Sequence, residues 1–569
     1  MIFSFSFPLE QILRYILESP FILANIIIFS TIFIISFILI YFTLIKKRIS
    51  FRFKNDKTFI RFVLSICIAI SLLLNFYYIS FTSDDAFISF RYATNLVDGY
   101  GLVFNSNTNN PVEGYSNFLW VLINAIPILL NLDIVIWFKV LSIIINIGSI
   151  LVIYKLGTLF YSNKIALFCP MLYSIYYPIQ LWIVGGLEIP ILILSLIAAF
   201  YFLFKEVLKE SKFPILSSLF FLIHALTRID GIIFFIGIEF SVIIYYLFIN
   251  KKKNIVYQRI ISLLFVGTPY TIYFLWRFLY YGQFFPNSYY AKASKSFVLI
   301  TTSGIQYLLL FLVFTAPIVI LMIFAVIKIL LNKEKEMIKM VLPAIIPILI
   351  NFAVILNIEK HYAGQGFRFA LISVPFMILI GCYSFKVLND YKTTKFKLNY
   401  RQFKISLNKL IPLLCSFGLI IYPFTAPIVY INTSSTDVAD KYHKLAFWFK
   451  DNVDNNVSIA FTDMGVIPYY SELEFIDLWG ICDETIARDR SAADYVLGKK
   501  PEFIFIKENN LGEIKAIRDH VDFQSNYTRF FTIELREITQ YLKEAIYDLN
   551  IYKHNDYLLS NATLVSLFS

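Results

Sequence analysis

The chain has 569 residues, of which 58% are hydrophobic and only 16% charged, and its 50 Lys and Arg against 39 Asp and Glu give a net charge of +11. A soluble domain carries about 25% charged residues. There is too little polar surface here to coat the several soluble domains that such a length implies, and soluble, disordered, collagen-like and disulfide-scaffold classes are excluded. The apolar residues fall in runs near the ~20 residues that cross a bilayer as a helix, so the chain reads as a polytopic α-helical membrane protein.

About twelve spans are expected, at residues 21–43, 59–81, 134–154, 165–184, 190–204, 213–226, 232–248, 260–280, 302–331, 340–356, 369–387 and 410–431. The first is too long, and lacks a preceding basic region, for a cleavable signal peptide. The sixth and seventh are short and suit a hairpin broken at 227–231. The loops alternate in charge. One set holds Lys46, Lys47, Arg48, Arg52, Lys54 and Lys57, then Lys205 and Lys209, then Lys251, Lys252, Lys253 and Arg259. It continues with Lys333, Lys335 and Lys339 and ends with Lys386, Lys392, Lys395, Lys397, Arg401 and Lys404. By the positive-inside rule this set is cytoplasmic. A multi-pass protein of the cytoplasmic (inner) membrane follows, with loops 83–133, 185–189, 227–231, 282–300 and 357–368 and everything after 431 outside. The basic surplus sets orientation and gives no reason to expect a nucleic acid partner.

Three regions result: 1–58, an N-terminal helix and basic cytoplasmic loop; 59–431, the main transmembrane domain with its first external loop at 82–133; and 432–569, an external domain. In the last, 457–462, 475–477 and 502–507 read as strands and 436–450, 511–520 and 539–549 as amphipathic helices. Alternation of the two suggests a small α/β domain. Cys67, Cys169, Cys382 and Cys415 lie in apolar runs, and Cys482 in a polar one. No spacing suggests a zinc site.

The unusual polar residues gather on the external side. Asp84 and Asp85 open the first external loop at the mouth of a span, where a charge is costly unless it has a task or a partner. Two near carboxylates raise one pKa, which suits a base working near neutral pH. They also suit a helix N-terminus, which favours carboxylates. The loop continues through Arg91, Tyr92, Glu113, Tyr115 and Asn117, where aromatics beside Asn and Glu suit a sugar's ring face and hydroxyl edges. An interfacial aromatic belt gives the same residues. Further external residues are Glu188, Arg228 with Asp230, the run Asn287, Tyr289, Tyr290 and Lys292, and His361 with Arg368. Arg228, Lys292 and Arg368 are suited to a phosphate and equally to salt bridges or snorkelling. His361 adds a pH-labile candidate. No GxGxxG, Walker-type or G-x-S-x-G motif occurs.

At these loops the sequence resembles a family. Asp84-Asp85-Ala86-Phe87-Ile88-Ser89-Phe90-Arg91-Tyr92, Gly99-Tyr100-Gly101 and Val112-Glu113-Gly114-Tyr115-Ser116-Asn117 look like the first extracytoplasmic loop of GT-C glycosyltransferases. They are most similar to the terminal arabinofuranosyltransferase group. Gly186-Leu187-Glu188, Arg228-Ile229-Asp230-Gly231, Pro286-Asn287-Ser288-Tyr289-Tyr290-Ala291-Lys292 and Gly366-Phe367-Arg368-Phe369 follow in order. In the tail, Thr462-Asp463-Met464-Gly465 and Ile476-Asp477-Leu478-Trp479-Gly480 also match.

The resemblance implies the GT-C fold and an inverting, single-displacement transfer of a sugar, arabinofuranose being one candidate, from a polyprenyl-phosphate donor to a cell-envelope glycan or lipid acceptor. Asp84 or Asp85 would be the general base. Arg228, Lys292 and Arg368, with His361, would hold the donor phosphate. Arg91, Tyr92, Glu113, Tyr115, Asn117, Glu188, Asp230, Asn287, Tyr289 and Tyr290 would position sugar and acceptor, and the tail would hold the glycan. A divalent cation, Mg²⁺ or Mn²⁺, could bind Asp84 or Asp85. Two other readings are a transporter or flippase of lipid-linked sugar, which expects polar groups near mid-membrane and on both faces, and a non-catalytic glycan-binding membrane protein.

Overall fold

The computed structural model describes residues 56–108, 110–292, 301–357, 366–390, 427–488, 493–508, 511–538 and 544–559. The expected span 21–43, most of 410–431, Cys415 and His361 lie outside the described residues. So does the side chain of Lys292.

Helices dominate. In chain order they are α1 (Asp56–Tyr77), α2 (Asp84–Val97), α3 (Phe118–Leu129), α4 (Ile134–Gly157), α5 (Asn163–Ile175), α6 (Tyr177–Ile183), α7 (Ile189–Leu208), α8 (Ile215–Thr227), α9 (Gly231–Ile249), α10 (Lys253–Tyr281) and α11 (Asn287–Lys292). Then come α12 (Thr302–Phe314), α13 (Ala316–Asn332), α14 (Lys335–Asn357), α15 (Arg368–Val387) and α16 (Pro427–Asn452). Among the described residues seven helices are long and apolar enough to cross a membrane, or nine if each of two bent pairs is one span. Their outward residues are apolar, as with Leu264, Ile272 and Leu279 of α10. That is the arrangement expected where the surrounding solvent is lipid.

Two expected spans are not straight. The 165–184 run bends by 61° between α5 and α6, and the 302–331 run by 84° between α12 and α13. Proline stands in the first turn of α6 (Pro178) and of α13 (Pro317). Proline has no N–H to continue the preceding helix, so the break falls just before it. The first break is sealed by side chains: Gln180 donates to the Tyr173 carbonyl at 3.1 Å, and Asn75 donates to the Gln180 carbonyl at 2.8 Å. The short hairpin is present, with α8 and α9 joined through Arg228-Ile229-Asp230. A side chain on Gly231 would collide with the His224 carbonyl at 2.6 Å, so the turn stays tight.

Segment 82–133, expected as the first external loop, folds more than its sequence pattern suggests. It carries α2 and also α3, an apolar helix of 12 residues. At 1.5 Å per residue α3 is roughly 18 Å long, short of the ~30 Å hydrocarbon core.

One polar feature corrects the expectation that unusual charges sit only on the external side. Arg259, expected in a cytoplasmic loop, is fully buried inside α10. It pairs with Glu206 at 3.3 Å and Glu239 at 3.4 Å. Glu206 in turn accepts the first N–H groups of α8, from Leu216 at 3.0 Å and Ser217 at 3.1 Å.

The tail forms a five-stranded mixed sheet, with β1 (Ser458–Phe461), β2 (Glu474–Asp477), β3 (Phe503–Lys507), β4 (Tyr527–Ile538) and β5 (Glu544–His554) in the order β2-β1-β3-β5-β4. The first three strands are parallel, and β5 pairs antiparallel with β3 and β4. A short helix, α17 (Val466–Ser471), links β1 to β2. The expected helix at 539–549 is instead largely β5. Its stretch Lys543-Glu544-Ala545 favours a helix locally, but Tyr547, Leu549 and Ile551 alternate into the core opposite Leu535, Ile533 and Phe531. Burial of one face by two-residue alternation outweighs the propensity.

Candidate active site

The site is built from the first turn of α2. Ser83 N–H donates to the Gly185 carbonyl at 2.9 Å, and the helix starts at Asp84. Successive helical residues point about 100° apart, so the two adjacent carboxylates separate. Asp85 forms an ion pair with Arg368 at 2.7 Å. Asp84 turns to the tail, where it accepts N–H groups of Gly465 at 3.1 Å and Val466 at 2.8 Å. Burial first, and then the neighbouring Asp463 carboxylate, push Asp84 up to about 7. Asp463 is itself held by Lys507 and by the Tyr442 hydroxyl at 2.7 Å.

Asp85 lines a cleft of about 830 Å³, part of it open to solvent. Asn117, Glu188, Arg228, Asp230 and Arg368 share that cleft, and Ile481 of the tail closes one side. Arg228 forks onto both oxygens of Asp230 at 3.0 and 3.2 Å and reaches Glu188 at 3.1 Å. Burial alone would lower the Arg228 pKa, but Asp230 and Glu188 outweigh it and hold it above its ordinary value. Burial would raise Asp230, and Arg228 reverses that. Both stay charged. Asn117 donates to Glu188 at 2.9 Å and accepts from Ser89 at 3.0 Å. Arg368 follows two left-handed residues, Gly366 and Phe367, which turn the chain into α15. Its guanidinium lies over Phe369 at 4.7 Å and Trp182 at 5.5 Å. Its Nε–H is buried without an acceptor among the described residues.

The remaining sequence candidates lie around the cleft. Glu113 pairs with Arg277, its Oε1 2.9 Å from Nε, and the Glu113 carbonyl accepts from Asn287 N–H at 2.9 Å. The Asn287 side chain donates to the tail carbonyls of Gly480 at 2.7 Å and Ile481 at 3.0 Å. Tyr92 donates to Val112, and Tyr115 lines the cleft with its hydroxyl 3.0 Å from that of Tyr281. Tyr289 and Tyr290 belong to an aromatic group with Phe285, over which the tail's Arg488 lies, 5.1 Å from the Tyr290 ring. Arg91, expected among sugar-binding residues, is buried and donates to the backbone of Phe104, Pro468 and Leu473. Its guanidinium is thereby occupied in joining loop and tail.

The sequence reading missed Arg277. An arginine within an apolar run signals a partner or a task, and this one holds Glu113 behind the cleft wall. For a metal, no group of three or more His, Cys, Asp and Glu side chains among the described residues is placed to hold one. The three carboxylates lining the cleft each face a guanidinium.

Comparison with known proteins adds to this geometry. A family model described as a domain of unknown function (DUF8728) matches residues 432–555. No curated protein matches the sequence. Among solved structures, ArnT from Cupriavidus metallidurans bound to undecaprenyl phosphate superposes with a TM-score of 0.55 at 8% identity, covering 86% of this chain and 98% of that one. The archaeal oligosaccharyltransferase AglB from Archaeoglobus fulgidus, in complex with an inhibitory peptide and a dolichol-phosphate, gives 0.54 at 12% identity, covering 86% and 74%. At these identities the likeness is one of fold. The fold is GT-C: a polytopic helical membrane domain carrying a small sheet domain at its C-terminal end.

Proposed function

We propose that the protein is an inverting glycosyltransferase that moves a sugar from a polyprenyl-phosphate donor to a glycan or glycolipid acceptor at the external membrane face. The observation that carries this reading is the cleft, where a carboxylate, Asp85, stands beside two guanidiniums, Arg228 and Arg368. The solved structures of similar fold hold undecaprenyl phosphate and dolichol-phosphate. That supports a lipid-linked phosphate as the donor here. The loop motifs around Asp84-Asp85 and Glu113 make arabinofuranose the candidate sugar.

In this mechanism the donor phosphate takes up Arg368, whose Nε–H has no other acceptor among the described residues. Its arrival draws Arg368 from Asp85 towards the phosphate, so that Asp85 can take a proton. The acceptor hydroxyl gives its proton to Asp85, and its oxygen attacks the anomeric carbon. The bond from that carbon to the phosphate oxygen breaks, and polyprenyl phosphate leaves with the electron pair. Arg228 and Arg368 stabilise the charge that grows on the leaving phosphate. Attack opposite the leaving group inverts the anomeric centre. No step passes through a divalent cation: among the described residues no three metal-ligating side chains converge, and the cleft carboxylates are engaged by Arg368 and by Arg228, which Glu188 and Asp230 share. Turnover in EDTA is expected to match turnover without it.

The test is transfer of radiolabel from a polyprenyl-phosphate sugar to an oligosaccharide by purified protein in detergent. Transfer that disappears with Asp85→Asn supports the reading, and absence of transfer across acceptors and sugars removes it. The buried Arg259–Glu206–Glu239 group, at the opposite end of the helices, gives a second reading its one support, namely transport of the lipid-linked sugar. Movement of labelled lipid across a reconstituted bilayer without transfer would favour that alternative.

A further inference from the structure

Asp84 and Arg91 are seven residues apart on α2, two turns, and so lie on one face of the helix. Both meet the same short tail segment. Asp84 accepts the N–H groups of Gly465 and Val466 at the start of α17. Arg91 donates to the carbonyl of Pro468 within it and, at 2.6 Å, to that of Leu473 just beyond it. The first N–H groups of a helix lack partners within it, so Asp84 supplies acceptors at the start of α17, while the Pro468 carbonyl, which already accepts from Glu472 N–H at 3.2 Å, takes Arg91 as a second donor. Phe87, between them on α2, packs against Tyr469 and Tyr470 with ring centroids 5.5 Å away in each case. A side chain on Gly465 would overlap the Asp84 backbone and carboxyl, so only glycine permits this approach. Beside this clamp, the Asn105 side chain exchanges two hydrogen bonds with the Phe475 backbone, at 2.8 and 3.1 Å, and extends the edge of β2.

We infer that Asp84 is a positioning residue: with Arg91 it clamps α17 of the tail onto α2, and the clamp fixes both the direction of Asp85 into the cleft and the closure of the cleft by the tail. The adjacent carboxylates thus divide two tasks, one structural and one chemical. Asp85 is turned about 100° from Asp84, so any rotation of the first turn of α2 that frees Asp84 also swings Asp85 off its line to the acceptor. The inference rests on Asp85 being the reacting carboxylate in the transfer proposed above.

Two measurements on the full-length protein test it. Hydrogen exchange needs no substrate, so it judges the clamp even if no transfer is found. Asp84→Ala and Arg91→Ala should each deprotect the amides of residues 465–473, while Asp85→Asn should leave them unchanged. In the transfer assay, Asp84→Ala and Arg91→Ala should lower kcat by about 10- to 100-fold, the scale of a misplacement near 1 Å, with little change in donor KM. Asp84→Asn keeps an oxygen for the Val466 N–H and should recover most of the activity, within about tenfold of wild type. Asp85→Asn should lose about 10²–10⁴-fold. The inference is overturned if Asp84→Ala leaves protection of 465–473 intact, or if Asp84→Asn is as inactive as Asp85→Asn. The Asp84→Ala/Arg91→Ala double variant should be no worse than either single, and additive losses would also overturn it.

Discussion

Two parts of this molecule hold an arginine between two carboxylates. At the cleft, Arg228 lies between Glu188 and Asp230. Away from it, Arg259 lies between Glu206 and Glu239. The composition is the same and the settings differ. Arg228 lines an open cleft, which Asp85 and Arg368 share. Arg259 is sealed among α7, α8, α9 and α10, where a serine donates to each carboxylate: Ser262 to Glu239 at 2.8 Å, and Ser217 to Glu206 at 2.5 Å. Charge count alone therefore does not mark a working site. Access to the cleft separates the cluster suited to a substrate from the one that holds helices together.

The comparison breaks most readily at Asp85. Asp85→Asn should lower transfer by about 10²–10⁴-fold while leaving the thermal midpoint in detergent near that of wild type, as read by label transfer and by melting. The opposite pattern is expected for the sealed cluster. Arg259→Ala strands Glu206 and Glu239 without their counter-charge and should cost about 3–5 kcal/mol, the usual result of removing one partner from a buried pair. A lowered melting midpoint with unchanged turnover per folded molecule would confirm it, and a fall in turnover without a fall in midpoint would give the sealed cluster a part in function.

Smaller effects sharpen the contrast. Arg228→Lys keeps the charge but loses the fork onto Asp230, and should raise donor KM about tenfold or more, from charged hydrogen bonds of about 1.5–3 kcal/mol. The same exchange at Arg259 should act on stability only. The smallest effect is that of pH on the contact between α2 and α17. Asp84 is raised to about 7 by burial and by Asp463, with Asp85 adding to the rise and Lys507 opposing it. A carboxyl whose pKa is higher when docked holds its proton more tightly when docked, so protonation favours docking. The stabilisation is complete below the ordinary value near 4 and fades as pH rises through about 7. Exchange of the Gly465 and Val466 amides, corrected for intrinsic rate, should be slower at pH 6 than at pH 8, and Asp84→Asn should flatten that difference.

Much of the architecture was legible because the bilayer allows few solutions. Runs near ~20 residues mark helices, and β1, β2 and β3 announced themselves as short apolar stretches in a polar tail. The bends before Pro178 and Pro317 were readable in principle, since proline cannot continue a helix, but each run is apolar throughout and masked its own break. Strand β5 was missed because local propensity pointed the other way and the deciding partner, β4, was not itself recognised as a strand. At the candidate site, sidedness brought Asp85, Glu188, Arg228, Asp230 and Arg368 into one group from the loops alone. What no loop could tell was the direction of each side chain. Asp84 and Asp85 are neighbours in sequence and part at once in space. Arg91 and Arg277 show the same limit: a buried guanidinium declares that it has partners, while the identity of those partners is set by chain distant in sequence, 377 and 382 residues away for Arg91 and 164 for Arg277.

The contact between Asp84 and Gly465 spans 381 positions of sequence, and that distance has a consequence for synthesis. At a usual elongation rate of about 5–20 residues per second, roughly 20–80 s pass between the emergence of α2 and the arrival of the segment that completes its first turn. Through that interval α2 stands without the contact that, on the inference above, aims Asp85. A product stalled before residue 465 would lack that contact and, on the transfer proposed above, should be inert.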